Sequence, residues 1–306
     1  MFALLRCVTF RLRIIAAHPS AIAAQITLLA VVSFAVANQV FALTVITFKF
    51  DHKESISSLS LLSHYQSWEE KKELKKFFDE AKVNGCFLLY DLQAEKYIGY
   101  NLKRAKKPFL PASTFKILNS IIALETGVVK NENEIIKWDG MKRQFEVWNK
   151  DYSMKDAFAA STVWFYQEIA RRIGHDKMQK FVNSAKYGNQ NINGGIDQFW
   201  LTGDLRISAK EEIDFLVKFH KYKLPFSRKT INTVKEISIN EKTDKYILRA
   251  KTGWAFEAKL GWWVGYIERD HGVYFFALNI DIAKDEDAAK RIPLTKSILR
   301  ELRIIE

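Results

Sequence analysis

Leu260-Gly261-Trp262-Trp263-Val264-Gly265-Tyr266-Ile267-Glu268-Arg269-Asp270-His271-Gly272-Val273-Tyr274-Phe275-Phe276-Ala277-Leu278-Asn279-Ile280 reads as two β-prone runs, Leu260 to Glu268 and Val273 to Ile280, around a polar link. Aromatic and β-branched residues bounded by turn residues at this spacing predict a hairpin. Strands joined by a tight hairpin are antiparallel. A third run, Tyr246 to Thr252, precedes the pair, and two more, Cys86 to Leu92 and Lys96 to Asn101, flank Gln93-Ala94-Glu95 far upstream.

Between these groups the periodicity is helical, over Thr114 to Thr126, Val163 to Ile173, Asp176 to Ala185 and Ala209 to Lys221, with a Gly- and Asn-rich loop at Asn189 to Gly195. A last helix is expected over Asp287 to Glu301. Near the start, Ser67-Trp68-Glu69-Glu70 has the form of a capping box, with Leu74, Phe77, Phe78 and Ala81 following, which predicts a helix from Trp68 to Lys82. Strands at both ends and helices between them predict an α+β fold. Its mainly antiparallel sheet is built from both chain ends, flanked by helices and faced by a largely helical subdomain.

The 306 residues are 48% hydrophobic and 13% aromatic, enough to bury a substantial core and far from a disordered composition. The first fifty residues stand apart. Arg6, Arg11 and Arg13 precede an apolar stretch from Ala21 to Phe48, and no acid occurs before Asp51. This is the pattern of an export signal over residues 1–42, leaving one catalytic domain over 43–306 and a periplasmic location. Ala35-Val36-Ala37 and Val40-Phe41-Ala42 offer the small residues of a cleavage site; an uncleaved anchor is the alternative, since the apolar run is long enough to span a bilayer.

Loss of Cys7 with the signal would leave Cys86 alone, among Phe87, Leu88 and Leu89, as a small buried hydrophobe with no disulfide partner. The six histidines have no metal-ligand spacing, so no metal is expected. The net charge of +12 could suit nucleic acid. However, runs such as Glu69-Glu70-Lys71-Lys72-Glu73-Leu74-Lys75-Lys76 interleave both signs as a solvated helix face does, and an exported protein has no nucleic-acid partner in view. Membrane contact is expected only through the N-terminal segment, and the protein is expected as a monomer or homodimer.

Three short motifs carry the chemistry: Ser113-Thr114-Phe115-Lys116, Ser161-Thr162-Val163 and Lys251-Thr252-Gly253, with Tyr187-Gly188-Asn189 between the last two. A serine hydroxyl needs a neighbouring base to become a nucleophile. Residues three apart share a helix face, so Lys116 can reach Ser113. Free lysine, with a pKa near ~10.4, is an ammonium at neutral pH, but an apolar enclosure lowers that value. Phe115, Val163, Trp200 and Leu201 are candidate walls. The amine could then act as the base itself or add carbon dioxide to become a carbamate, and the residues alone leave both open.

Ser161 is placed to relay a proton toward a leaving nitrogen. Lys251 and Thr252 suit a substrate carboxylate, Gly253 at the end of its strand would let a substrate approach, and Arg291 could add a guanidinium fork. Taken singly, each pattern has a plain structural explanation: a surface S-x-x-K, Trp138 and Trp200 as packing residues, Tyr187-Gly188-Asn189 as a helix-ending turn. Their joint order, each of S-x-x-K, Y-G-N and K-T-G occurring once, points to an acylating serine enzyme.

With Pro111-Ala112-Ser113-Thr114-Phe115-Lys116, Lys137-Trp138-Asp139-Gly140, Ser161-Thr162-Val163, Tyr187-Gly188-Asn189, Gln198-Phe199-Trp200-Leu201, Arg249-Ala250-Lys251-Thr252-Gly253-Trp254 and Gly261-Trp262-Trp263-Val264-Gly265, the chain from about Gly85 to Leu302 resembles the penicillin-recognising serine enzymes. Most closely it resembles the class D β-lactamases, or oxacillinases.

The resemblance implies hydrolysis of β-lactam antibiotics, and so resistance to them, through a Ser113 acyl-enzyme. It makes Lys116 an N-carboxylated general base for both acylation and deacylation, formed with carbon dioxide or bicarbonate, hydrogen-bonded by Trp200 and shielded by Val163. It gives the oxyanion hole to the backbone N–H groups of Ser113 and Trp254, and the drug to Lys251, Thr252, Gly253, Arg291, Trp138 and Tyr187. The loop Trp254-Ala255-Phe256-Glu257 departs from a carbapenem-hydrolysing subgroup that carries a basic residue near Glu257, which leaves carbapenem activity open. The rival expectations are a penicillin-binding transpeptidase or β-lactam sensor that acylates but turns over poorly, and a tethered basic binding protein without catalysis.

Overall fold

The computed structural model describes residues 67–306, together with two short strands at 28–30 and 46–48. The chain divides into two compact units, Met1–Tyr65 and Gln66–Glu306. In the first, Leu28–Ala30 pairs antiparallel with Ile46–Phe48. Apart from that strand, the expected export segment over 1–42 and its cleavage sites lie outside the described residues. Among the described residues no helix is long and apolar enough to cross a membrane.

The second unit is organised by one seven-stranded sheet. Its strands are β1 Ser67–Glu70, β2 Gly85–Asp91, β3 Lys96–Tyr100, β4 Ile239–Lys242, β5 Ile247–Ala255, β6 Leu260–Arg269 and β7 Gly272–Asp281. The order across the sheet is β1-β3-β2-β7-β6-β5-β4, antiparallel at every pairing except β1 with β3. The hairpin expected at Arg269-Asp270-His271-Gly272 closes with Arg269 opposite Gly272. Both chain ends of this unit therefore supply the sheet, as the pattern of runs implies.

Side chains alternate across a strand, and here both faces are covered. Along β6, Trp262, Val264 and Tyr266 enter the core on one face, while Trp263 and Ile267 enter that on the other; β7 likewise splits Phe275 and Ala277 from Phe276, Leu278 and Ile280. Double burial is why these strands read as continuous apolar runs.

Besides a single turn at Leu102–Ala105, the helices among the described residues are α1 Lys75–Ala81, α2 Lys116–Glu125, α3 Met154–Ala159, α4 Val163–Ile173, α5 His175–Ala185, α6 Ala209–His220, α7 Arg228–Ile237 and α8 Arg291–Glu301. Phe78 of α1 and Leu294, Ile298 and Leu299 of α8 fill one core. The other holds residues of α2 to α7, with α6 packed directly on β2, β6 and β7. A full capping box, Ser208 with Glu211, starts α6.

The helix expected from Trp68 to Lys82 is only half right. Ser67-Trp68-Glu69-Glu70 forms β1, parallel to β3, and Trp68 stacks on Tyr97 at 4.3 Å. A long-range ring contact overrides the local capping pattern, and the α-helix starts at Lys75, after a 3₁₀ turn over Lys72–Leu74. Helix α7, capped by Ser227, and strand β4 are elements the sequence reading did not include. The final helix is also shorter than expected, a 3₁₀ turn over Asp285–Lys290 preceding α8.

Candidate active site

Ser113 stands in a 3₁₀ turn, Ala112–Phe115, that runs straight into α2 at Lys116. Positions three apart eclipse in this geometry, and Lys116 Nζ lies 2.5 Å from Ser113 Oγ. Ala112 enters the turn at φ +50, and its N–H donates to the carbonyl of Trp200 at 2.9 Å. That bond holds the turn against the segment bearing Trp200, whose ring stacks on Phe115 with centroids 5.6 Å apart.

Lys116 is fully buried. Burial first, and then the nearby positive charge of Lys251, hold its amine well below the ordinary lysine range. Phe115 and Trp200, two of the expected walls, are themselves fully buried, whereas Val163 at the head of α4 and Leu201 are half-buried. A further wall is Tyr166, whose ring centroid is 5.3 Å from Nζ and whose hydroxyl pairs with Ser120 at 2.8 Å. The buried Trp200 Nε1 has no hydrogen-bond partner. An unpartnered buried donor whose ring stacks on Phe115, the residue before Lys116, suits an added anionic group such as a carbamate.

Ser161, at φ +54, precedes α4. Its hydroxyl accepts from Lys251 Nζ at 2.9 Å, and the same Nζ lies 3.3 Å from Thr252 Oγ1. Burial and the Arg291 charge bring Lys251 down to about 7. Arg291 opens α8 and donates to the Gly253 carbonyl at 2.5 Å; burial lowers it to about 10. The Lys251 and Arg291 charges, close together where burial strips water from both, make a field that favours an anionic ligand.

Lys251-Thr252-Gly253 lies inside β5, which continues to Ala255, and not at its end. Gly253 also serves packing: a β-carbon there would stand 2.9 Å from the Pro111 carbonyl, so the glycine admits the turn that carries Ser113. Past it, Trp254, Phe256 and Phe145 cluster, with Trp254 and Phe256 centroids 4.3 Å apart and the Arg291 guanidinium 5.9 Å from the Trp254 ring.

Two expected substrate contacts have their hydrogen bonds away from Ser113. Tyr187 is fully buried, where its hydroxyl donates to Glu212 Oε1 at 3.0 Å, so a ligand at the surface does not reach it. Trp138 sits in a loop where its indole donates to Met141 O and its backbone N–H to Asp151, and none of its hydrogen bonds reaches the Ser113 cluster. Glu212 and Tyr166 escaped the sequence reading. An acid at position 212 falls on the buried stripe of α6 with Ala209, Ile213 and Leu216, and that misplacement is the signal for it.

The model of the penicillin-binding protein transpeptidase domain family matches residues 64–300. "Beta-lactamase OXA-48" of Klebsiella pneumoniae is 43% identical over 242 residues, 78% of this chain and 91% of that protein. "Beta-lactamase OXA-10" of Pseudomonas aeruginosa is 43% identical over 248 residues, 79% of this chain and 92% of that one. Among solved structures, the class D β-lactamase YbXI from Nostoc aligns with a TM-score of 0.73 at 48% identity, over 75% of this chain and 98% of that chain. FUS-1 (OXA-85), a class D β-lactamase from Fusobacterium nucleatum subsp. polymorphum, aligns at 0.75 and 40% identity, over 78% and 100%.

Proposed function

The chain belongs to the class D β-lactamases, serine hydrolases of β-lactams, and from that premise we propose that it turns over through a Ser113 acyl-enzyme with a carboxylated Lys116, conferring resistance. The observation that carries the mechanism is the 2.5 Å approach of Ser113 Oγ to the wholly buried Lys116 Nζ. A buried amine held neutral is the form that takes up carbon dioxide, and the side chain so carboxylated would stand where Ser113 releases its proton as Oγ attacks the lactam carbonyl.

The lactam C–N bond then breaks, and Ser161, hydrogen-bonded to Lys251, hands a proton to the departing ring nitrogen. The backbone N–H groups of Ser113 and Trp254 receive the developing oxyanion. Lys251, Thr252 and Arg291 draw in the drug carboxylate, and Gly253 keeps β5 close to the nucleophile. Carbon dioxide bound by the Lys116 amine would supply an anionic oxygen base for the deacylating water, and the unpartnered Trp200 Nε1 is the donor that would hold it.

Nitrocefin turnover by the purified protein tests this, with and without added bicarbonate. Steady-state hydrolysis that rises with bicarbonate is expected. One equivalent of product without a steady state would instead assign a transpeptidase or sensor. A panel of a penicillin, an oxacillin-type drug, a cephalosporin and a carbapenem sets the substrate range. We also propose export to the periplasm, supported by Arg6, Arg11, Arg13 and the apolar stretch after them; N-terminal sequencing of the mature protein would reveal a Met1 start if no cleavage occurs.

A further inference from the structure

Behind the nucleophile turn lies a polar cluster that the reaction as described does not use. Thr114, the residue after Ser113, is fully buried. Its Oγ1 lies 2.8 Å from the carbonyl oxygen of Pro111 and 2.5 Å from Oε1 of Glu212 on α6. Tyr187 OH approaches the same Oε1 at 3.0 Å, and Oε2 is buried without a partner.

Counting protons decides the state of this cluster. A threonine hydroxyl carries one proton. Were Glu212 a carboxylate, Thr114 could satisfy either Glu212 or the Pro111 carbonyl, never both, and a charged oxygen would be left bare in the interior, which is strongly disfavoured. With a proton on Oε1, the carboxyl donates to Thr114 Oγ1, Thr114 donates to Pro111 O, and Tyr187 donates to Oε1. The chain of bonds then runs unbroken to the carbonyl that abuts Gly253 and closes the turn carrying Ser113.

We propose that Glu212 is a positioning residue for Ser113, acting in its protonated form through Thr114. Burial, chiefly, pushes its carboxyl up to about 7, and the neighbouring Glu211 charge adds to the rise. The other titratable group facing it is Tyr187, itself raised well above the ordinary tyrosine value by burial and by Glu212. The nucleophile turn offers it only the Thr114 hydroxyl. Ionisation of Glu212 as pH rises takes the Thr114 proton away from Pro111 and loosens the turn, so acylation falls.

The proposal rests on Ser113 being the acylated residue. The test compares nitrocefin kcat/KM, which reports acylation, for the wild type and Glu212→Gln from pH 6 to pH 9. Glutamine presents an N–H to Thr114 at every pH. The two should agree within about twofold at pH 6, and the variant should exceed the wild type roughly threefold or more above pH 8, because small displacements of a nucleophile cost rate steeply. A ratio independent of pH overturns the proposal.

Thr114→Val and Thr114→Ser provide a second arm should the glutamine variant fail to fold. Serine should preserve the wild-type pH profile, and valine should flatten it with a kcat/KM lower by about tenfold. A valine variant with wild-type kcat/KM and profile overturns the proposal as well. Absence of any penicillin adduct on the wild-type protein by mass spectrometry would sink the functional reading instead, so the two failures are distinguishable.

Discussion

A β-carbon at Gly253 would stand 2.9 Å from the carbonyl oxygen of Pro111, with Thr114 Cγ2 and Trp262 Cβ each at 3.1 Å. Strand β5 and the nucleophile turn thus meet backbone to backbone, and Trp262 Nε1 reinforces the contact by donating to the Leu110 carbonyl at 2.8 Å. Gly253→Ala should push the turn away from the strand. We expect a loss of about 1–3 kcal/mol in stability from overpacking and a fall of roughly tenfold or more in kcat/KM from misplacement of Ser113. Thermal unfolding and nitrocefin kinetics read the two effects; a wild-type-like variant would mean the contact yields without strain.

Lys251 is buried with its titration drawn down to about 7. Between that value and the ordinary lysine range the unfolded chain binds a proton that the folded chain does not, so its penalty on folding grows as pH falls through the window and is constant below it. Lys251→Met should therefore raise stability at pH 7 by about 2 kcal/mol, or roughly 4–8 °C in Tm, and the gain should shrink toward pH 10. Activity should be lost with the ammonium. Equal Tm differences at pH 7 and pH 10 would show that burial does not act on this amine.

Trp200→Phe removes the unpartnered Nε1 and keeps a ring to stack on Phe115. The change in stability should be modest, about 1 kcal/mol, since no hydrogen bond is broken. Steady-state turnover should fall more than the acylation burst, and the bicarbonate concentration for half-maximal activity should rise. An unchanged bicarbonate titration would count against Trp200 as a holder of the carbamate.

Arg291→Ala removes the guanidinium that donates to the Gly253 carbonyl and faces the Trp254 ring. KM for carboxylate-bearing β-lactams should rise about tenfold with a smaller change in kcat, as expected when binding common to ground and transition states is lost. Penicillin compared with its methyl ester provides the control: the ester should be hardly affected by the substitution. An equal KM increase for both would remove the carboxylate from the role of Arg291.

Much of the fold is legible in the amino-acid chain. The run from Leu260 to Ile280 carries its own turn, and the observed register places Arg269 opposite Gly272 as the polar link implies. By contrast, Ser67-Trp68-Glu69-Glu70 misleads, because stacking on Tyr97, a residue of another strand, decides its conformation. Tyr187 and Trp138 carry motif positions whose hydrogen bonds lie away from Ser113: one is buried against Glu212 and the other bonded within its own loop. Glu212 was legible only as an acid on an apolar helix face, with no indication of what it would meet.

The hairpin from Leu260 to Ile280 and the i, i+3 spacing of Ser113 and Lys116 follow from the amino-acid chain alone, because each depends on residues close together in it. The protonation chemistry is a product of the packed fold. Lys116 lies fully buried beside the Tyr166 ring and is repelled by Lys251, residues from distant segments, and Glu212 reaches Thr114 across 98 positions. Desolvation and charge act through space, so the state of each proton is set by what folding brings alongside it.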